Sequence, residues 1–261
     1  MIIDAHIHVG AWDHPDFLGR RCTLDDTVAV LRRAGIAGAG IMPTDRCDNA
    51  GLLADARRVV AAGGPSLWMF GWVRPDTAPE AVGRGDLDWV SATLAAGPRA
   101  LTGLKIHPSL SRVRVSDAGF APALELAAAH DLIVLVHCGR WQEMASFRFA
   151  IDAAAAHPRV RFILAHAGGD TPPLASAAAE LVLERGLDNV WFEFSGLREY
   201  WVIERNIARL GAGRYLMGSD YGLAHPLMYI GAVRGMDLSE ADRARVLGGN
   251  ARALFGTPLE A

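Results

Sequence analysis

The sequence predicts an α/β protein: a single-domain TIM-type (β/α)8 barrel over residues 1–261, with room for distortion. Three observations carry that expectation. Eight short runs of β-branched, aliphatic and aromatic residues recur at a pitch of about 30 residues. The segments between them are rich in Ala, Leu and Arg at helical spacing, and this alternation indicates βα units around a parallel sheet. The length, 261 residues, suits one such barrel, and no Pro/Ser-rich linker divides it.

In chain order the runs are Ile2–His8, Ala37–Pro43, Leu67–Val73, Leu101–His107, Leu132–Cys138, Val160–His166, Asn189–Ser195 and Arg214–Asp220. Helices are expected over Leu24–Ala34, Gly51–Ala62, Ala121–His130, Ala145–His157, Pro173–Arg185, Tyr200–Leu210 and Ser239–Leu247. Thr23 with Asp26 can cap the first helix and Gly35 can end it. Ser116-Asp117 precedes the third of these segments, and Gly186 follows the fifth. The main rival is an open doubly wound sheet, which wants a glycine-rich turn directly after its first strand. Here that position reads His6-Ile7-His8-Val9-Gly10, and Gly35, Gly38 and Gly40 precede a strand, as a helix stop and loop would.

Composition narrows the function. Apolar residues make up 51% and charged residues 21%, as in soluble globular proteins. A net charge of -3 and a pI near 6.3 argue against a nucleic-acid or membrane-surface partner. Mean hydropathy is +0.17, yet no apolar stretch reaches the ~18 residues of a membrane span. Cys22, Cys47 and Cys138 form no CxxC pair, which fits a reducing compartment. The chain enters a strand-like run at once with no signal-peptide pattern, so a cytoplasmic protein is expected. Neither a Gly-x-Ser-x-Gly elbow nor a P-loop is present.

Catalytic groups of such barrels sit at the C-terminal ends of the strands. Five of the runs place metal-binding residue types there: Asp4-Ala5-His6-Ile7-His8, Lys105-Ile106-His107, His137-Cys138, Ala165-His166 and Ser219-Asp220. Residues i and i+2 of a strand share a face, so His6 and His8 should both project inward. With a third imidazole and a carboxylate they make a nitrogen-rich site for one divalent metal. Zn2+ suits that donor set best, with Mn2+ or Fe2+ as alternatives. Cys138 alternates away from His137 and reads as packing. His130 and His157 read as helix-end residues, while His14 and His225 lie in loops that can touch a substrate.

One basic residue stands apart. Of the 26 lysines and arginines, only Lys105 is lysine. It should share the inward face with His107, and three roles are open to it. It can contact substrate or water, carry a carbamate that bridges a second metal, or pair with an acid below the site. His107 and, beyond the strand ends, Trp12, Arg46, Arg74, Arg140, Trp141 and Tyr221 are candidate substrate contacts; Arg74 is the strongest for an anion. Glu193 and Ser195 share one face of the seventh run and are expected just behind the site.

The order HxH, strand-4 Lys, strand-5 His, strand-6 His and strand-8 Asp resembles the amidohydrolase superfamily. The segments LKIHP, VHCG, LAHAGG, GSDYG and GGNARALFG resemble more narrowly its amidohydrolase-related branch, with the aminocarboxymuconate-semialdehyde-decarboxylase-like proteins. The resemblance runs from residue 1 to about residue 256. It implies one metal on His6, His8, His137 and Asp220, with Asp220 also a proton acceptor and His166 hydrogen-bonding metal-bound water or substrate. The chain is short for the decarboxylase pattern. The expected activity is therefore hydrolysis of a small, carboxylate-bearing amide, ester or lactone, in which His166 would also stabilise the developing oxyanion. Non-oxidative decarboxylation of a small aromatic or unsaturated acid is the alternative, and a catalytically silent metal-binding partner protein the third reading. A homodimer is the default oligomer.

Overall fold

The computed structural model describes residues 1–78, 86–97 and 99–261. Among these residues nine strands form one sheet: β1 (Ile3–Ala11), β2 (Arg21–Cys22), β3 (Gly38–Pro43), β4 (Ser66–Trp72), β5 (Gly103–Ile106), β6 (Ile133–Val136), β7 (Arg161–Leu164), β8 (Val190–Glu193) and β9 (Tyr215–Leu216). Their spatial order is β2-β1-β3-β4-β5-β6-β7-β8-β9, and only the β1–β2 pairing is antiparallel. The segment after β9 returns to β1. There Ala5 N–H donates to the Met217 carbonyl (2.9 Å), Asp220 N–H to the His6 carbonyl (2.8 Å) and His8 N–H to the Tyr221 carbonyl (2.9 Å). The eight parallel strands thus close into a distorted TIM-type barrel, and each predicted run overlaps one of them.

The first helix spans Leu24–Ala34 as expected, with a reciprocal Thr23–Asp26 capping box and Gly35 in the left-handed conformation (φ 68°). His130 and His157 do end helices. Two more helices, Asp86–Ala96 and Pro226–Gly235, escape the sequence reading because their apolar residues are not gathered into one clear stripe. The last helix, Asn250–Phe255, plugs the barrel's N-terminal end. Phe255 packs edge-on against Phe70 (5.4 Å between ring centres) and near Trp68 (5.7 Å). Burying a side chain of this size stabilises by roughly 1.5–3 kcal/mol.

The register of β1 decides where the site lies. Ile3 and Asp4 pair with Gly38 and Ala39, but Ile7 pairs with Ile41, so β1 carries one extra residue between Asp4 and Ile7. Ile3 and Ala5 pack with the barrel-interior cluster, whereas Ile7 and Val9 pack in the outer strand–helix layer. Without that bulge His6 and His8 would fall on the opposite face from Ile3 and Ala5, since a one-residue slip inverts every side chain. Gly40 makes room for it: a Cβ there would lie 2.8 Å from the Ala5 carbonyl oxygen. Gly38 and Gly40 are therefore strand residues needed for close approach, and only Gly35 is the helix stop.

The last run departs most from expectation. Its strand is Tyr215–Leu216, not Arg214–Asp220, and past it the backbone turns left-handed at Asp220 (φ 55°). Gly218 fits against Glu193, whose side chain a Cβ would meet at 2.5 Å. Among the described residues no helix is long and apolar enough to cross a membrane.

Candidate metal centre

His6 and His8 project from β1 with their Nε2 atoms 3.1 Å apart. Asp220 Oδ1 lies 3.7 Å from the first and 3.5 Å from the second. Hydrogen-bond bookkeeping fixes what these atoms present. His8 Nδ1 lies 2.7 Å from the Pro43 carbonyl, which can only accept, so Nδ1 carries the proton and Nε2 a lone pair. His6 Nδ1 lies 2.8 Å from Glu193 Oε2, and the same carboxylate also accepts the Ser195 hydroxyl at 2.9 Å. His6 therefore also turns a lone pair inward at Nε2. Two imidazole lone pairs and a carboxylate oxygen cannot satisfy one another, and Lys105 Nζ reaches only the first of them, His6 Nε2 (3.1 Å). Asp220 Oδ1 has no hydrogen-bond partner although it is buried. Such a cluster calls for a cation, and the donor set fits a divalent metal.

The ring electrostatics agree. Burial is the main force holding His6, His8, His107 and His137 well below the ordinary imidazole range. The Lys105 cation adds to it, and for His137 the neighbouring His107 ranks ahead of the lysine. Neutral rings at neutral pH are the form a metal needs.

His137 stands apart from the other three expected ligands. His6, His8 and Asp220 offer ligand atoms within 4.8 Å of one another, and His137 is not in that group. Its Nδ1 lies 3.1 Å from His166 Nε2, and its Nε2 is buried without a partner. It lines the same cavity as His6, His8, His166 and Asp220. His166 itself sits past the end of β7 in a left-handed turn (φ 57°), with Nδ1 2.9 Å from the Ser195 carbonyl. That carbonyl accepts the Nδ1 proton, and the other ring nitrogen, Nε2, faces His137 Nδ1.

Lys105 is fully buried, and its Nζ lies 3.1 Å from His6 Nε2. Burial brings its pKa down to about 8 against the pull of Asp220 and Glu193. The lysine therefore faces the ligand cluster rather than an acid at the barrel floor. His107 also lies at the cavity, its ring stacked between His137 (3.8 Å) and Trp72 (5.6 Å).

The outer candidates divide. Trp12, Arg140 and Trp141 line the cavity, and Trp12 Nε1 is buried without a partner. Arg74 does not present an open guanidinium. Asp86 grips it at two points, from Nε (2.7 Å) and Nη2 (3.0 Å), so its charge is already balanced. Arg46 pairs with Asp13 instead. Tyr221 is packed in the strand–helix layer beside Cys22, because it alternates with the inward Asp220. His14 lines a neighbouring larger cavity, while His225 caps the helix Pro226–Gly235. Cys138 is fully buried, and burial pushes its thiol up to about 12, as a packing residue's would be.

Two acids escaped the sequence reading. Asp170 lines the cavity, and its place four residues past His166 was the available signal. Asp4 is fully buried and clasps the barrel seam. Its Oδ1 accepts from His6 N (3.2 Å) and Ser219 N (2.9 Å), and its Oδ2 from the Ser219 hydroxyl (2.6 Å).

No curated protein matches the chain by sequence. Solved structures match its fold along nearly its whole length. A 5-carboxyvanillate decarboxylase from Sphingomonas paucimobilis is 17% identical, with 97% of this chain and 98% of that one covered and a TM-score of 0.70. An amidohydrolase from Burkholderia multivorans with bound zinc is 20% identical, with coverage of 99% and 100% and a TM-score of 0.72. A putative 2-pyrone-4,6-dicarboxylic acid hydrolase from Pseudomonas putida is 21% identical, with coverage of 99% and 98% and a TM-score of 0.72. Residues 3–257 match the amidohydrolase family, and the chain belongs to it.

Proposed function

We propose that this chain is a metal-dependent hydrolase of a small, carboxylate-bearing amide, ester or lactone, with one divalent metal, most readily Zn2+. The observation that carries this reading is the convergence of the His6 and His8 Nε2 lone pairs on the unpartnered Asp220 Oδ1. His6, His8 and Asp220 would hold the metal, with His137 the fourth candidate. When bound, the metal supplies Lewis acidity, polarising a carbonyl and acidifying water.

The protein residues handle the proton. Asp220 takes it from water as the water oxygen bonds to the carbonyl carbon. It returns the proton to the leaving nitrogen or oxygen as the scissile bond breaks. His166 hydrogen-bonds that water or the substrate from the β7 side. Lys105 contacts substrate or water from the β5 side.

Space supports a small reacting group. The cavity at the cluster measures about 160 Å3, only a few times the ~30 Å3 share of a water molecule. A neighbouring cavity of about 520 Å3 shares Trp141 as a wall and can take the rest of the substrate.

Decarboxylation at the same ligands is the second reading, favoured by the fold shared with the 5-carboxyvanillate decarboxylase. Incubating metal-loaded protein with a panel of lactones, esters, amides and aromatic acids separates the two. Acid release without carbon dioxide is expected. Carbon dioxide from an aromatic acid, with no hydrolysis across the panel, would overturn the hydrolase reading.

A further inference from the structure

The buried carboxylate of Glu193 touches both halves of the site. It is fully buried, it is the last residue of β8, and three donors converge on it. His6 Nδ1 lies 2.8 Å from Oε2, the Ser195 hydroxyl donates to the same oxygen at 2.9 Å, and the Ser195 backbone N–H donates to Oε1. With both its N–H and its O–H engaged, Ser195 is clamped in one orientation. Its remaining capacity is acceptor only, and both acceptors face one atom. His166 Nδ1 lies 2.9 Å from the Ser195 carbonyl and 3.0 Å from the Ser195 hydroxyl oxygen.

Proton bookkeeping therefore runs as one chain from His6 through Glu193 and Ser195 to His166. An imidazole that gives up its Nδ1 proton to a fixed acceptor must show a lone pair at Nε2. We propose that Glu193 is a positioning residue that sets the tautomers of His6 and, through Ser195, His166. It thereby makes one ring an electron-pair donor to a metal and the other a proton acceptor at Nε2, which faces His137 Nδ1 at 3.1 Å. Partners behind metal-ligating histidines commonly fix ring orientation in this way. The unusual feature here is that one carboxylate serves a candidate ligand and the candidate proton-handling ring together. The substitution Glu193→Gln puts an NH2 group where one acceptor oxygen stood. Either Ser195 N–H loses its acceptor or His6 Nδ1 meets a donor and moves its proton to Nε2.

The test needs no substrate, so it stands or falls separately from the hydrolase reading. Long-range 15N–1H correlation spectra of 15N-histidine-labelled, metal-free protein report which nitrogen of each ring carries the proton. In the wild type, His6 and His166 are expected to be protonated at Nδ1. In Glu193→Gln, His6 or His166 is expected to acquire an Nε2-protonated population. Zn2+ affinity, read by competition with a chromophoric chelator, is expected to fall roughly 10–100-fold. Ser195→Ala keeps the carbonyl acceptor and is expected to leave His166 protonated at Nδ1, so it controls for mere loss of packing. Unchanged tautomers in Glu193→Gln, or Zn2+ affinity within twofold of wild type, would overturn the proposal. Should Glu193→Gln fail to fold, Glu193→Asp takes its place. Its shorter carboxylate is expected to lose one of the two contacts and to give the same two shifts at smaller amplitude.

Discussion

Two sides of the barrel mouth reach the same cavity by different backbone devices. On the β1 side, His6 and His8 lie within a strand, two residues apart, aimed by ordinary alternation once the bulge has set the register. At the β7 end of the mouth and at the seam beside β1, His166 and Asp220 lie past the ends of β7 and β9 at positive φ, 57° and 55°. L-residues pay roughly 1–2 kcal/mol for that conformation. Positions of this kind persist only where surrounding contacts over-determine them. Here the Ser195 carbonyl grips His166, and the Asp4–Ser219 clasp precedes Asp220. The strand side thus offers rigid ligands, while the turn side offers groups whose direction depends on buried polar partners.

That contrast can be broken most directly on the strand side. Replacing His6 and His8 together by Ala is expected to abolish bound metal in elemental analysis. Far-UV circular dichroism should remain that of a folded barrel. Full metal retention would remove β1 from the centre. On the turn side, Asp220→Asn is expected to lower turnover by at least ~10²-fold, the scale of a lost general base. Some metal should stay, because the amide oxygen is a weak ligand. Near-normal turnover at full metal content would assign the proton to another group.

Lys105 stands between the two sides, touching His6 from β5. Lys105→Arg is expected to impair turnover nearly as much as Lys105→Ala, since a planar, longer guanidinium does not fit that buried slot. An active Lys105→Arg variant would show that only charge matters there. A second metal per chain, bridged by a modified lysine, would move the centre to a binuclear type.

The smallest effect concerns acidity. The four buried histidines titrate below their unfolded value of about 6.5, so the unfolded chain binds more protons as pH falls beneath it. Their stabilisation is present above that pH and is lost on acidification through the folded values. Asp4 and Glu193 work in the opposite sense. Burial raises Asp4 to about 7 and also raises Glu193, so the native state holds their protons first and gains stability as pH falls towards about 4. Four groups outweigh two. The melting temperature of metal-free protein is therefore expected to drop between about pH 7 and pH 5. A flat or rising profile over that interval would show that the rings are not held neutral.

The same contrast explains what was legible in the sequence. Strand alternation and residue type were enough to find His6, His8, His137, His166 and Asp220, because each stands at or just past the end of an apolar run. Conformation at the turns was not legible, since nothing local announces positive φ at a histidine or an aspartate. Partnering was less so. Arg74 lines the larger cavity, but Asp86, on a helix the periodicity does not reveal, already holds its guanidinium at two points. Tyr221 illustrates the reverse error, where proximity in sequence to Asp220 outweighed the alternation that turns it away.

The seam between β1 and the segment after β9 also sets a timetable for the chain. His6 meets Glu193 across 187 positions, and Asp4 meets Ser219 across 215. Contacts so distant in sequence close late, because loop entropy must be overcome before they reward the chain. During synthesis most of the barrel's staves emerge before the residues that complete the ligand cluster. Metal capture by the proposed ligands would therefore belong to the end of folding: a chain still lacking Asp220 has two imidazoles and no third candidate ligand from the seam.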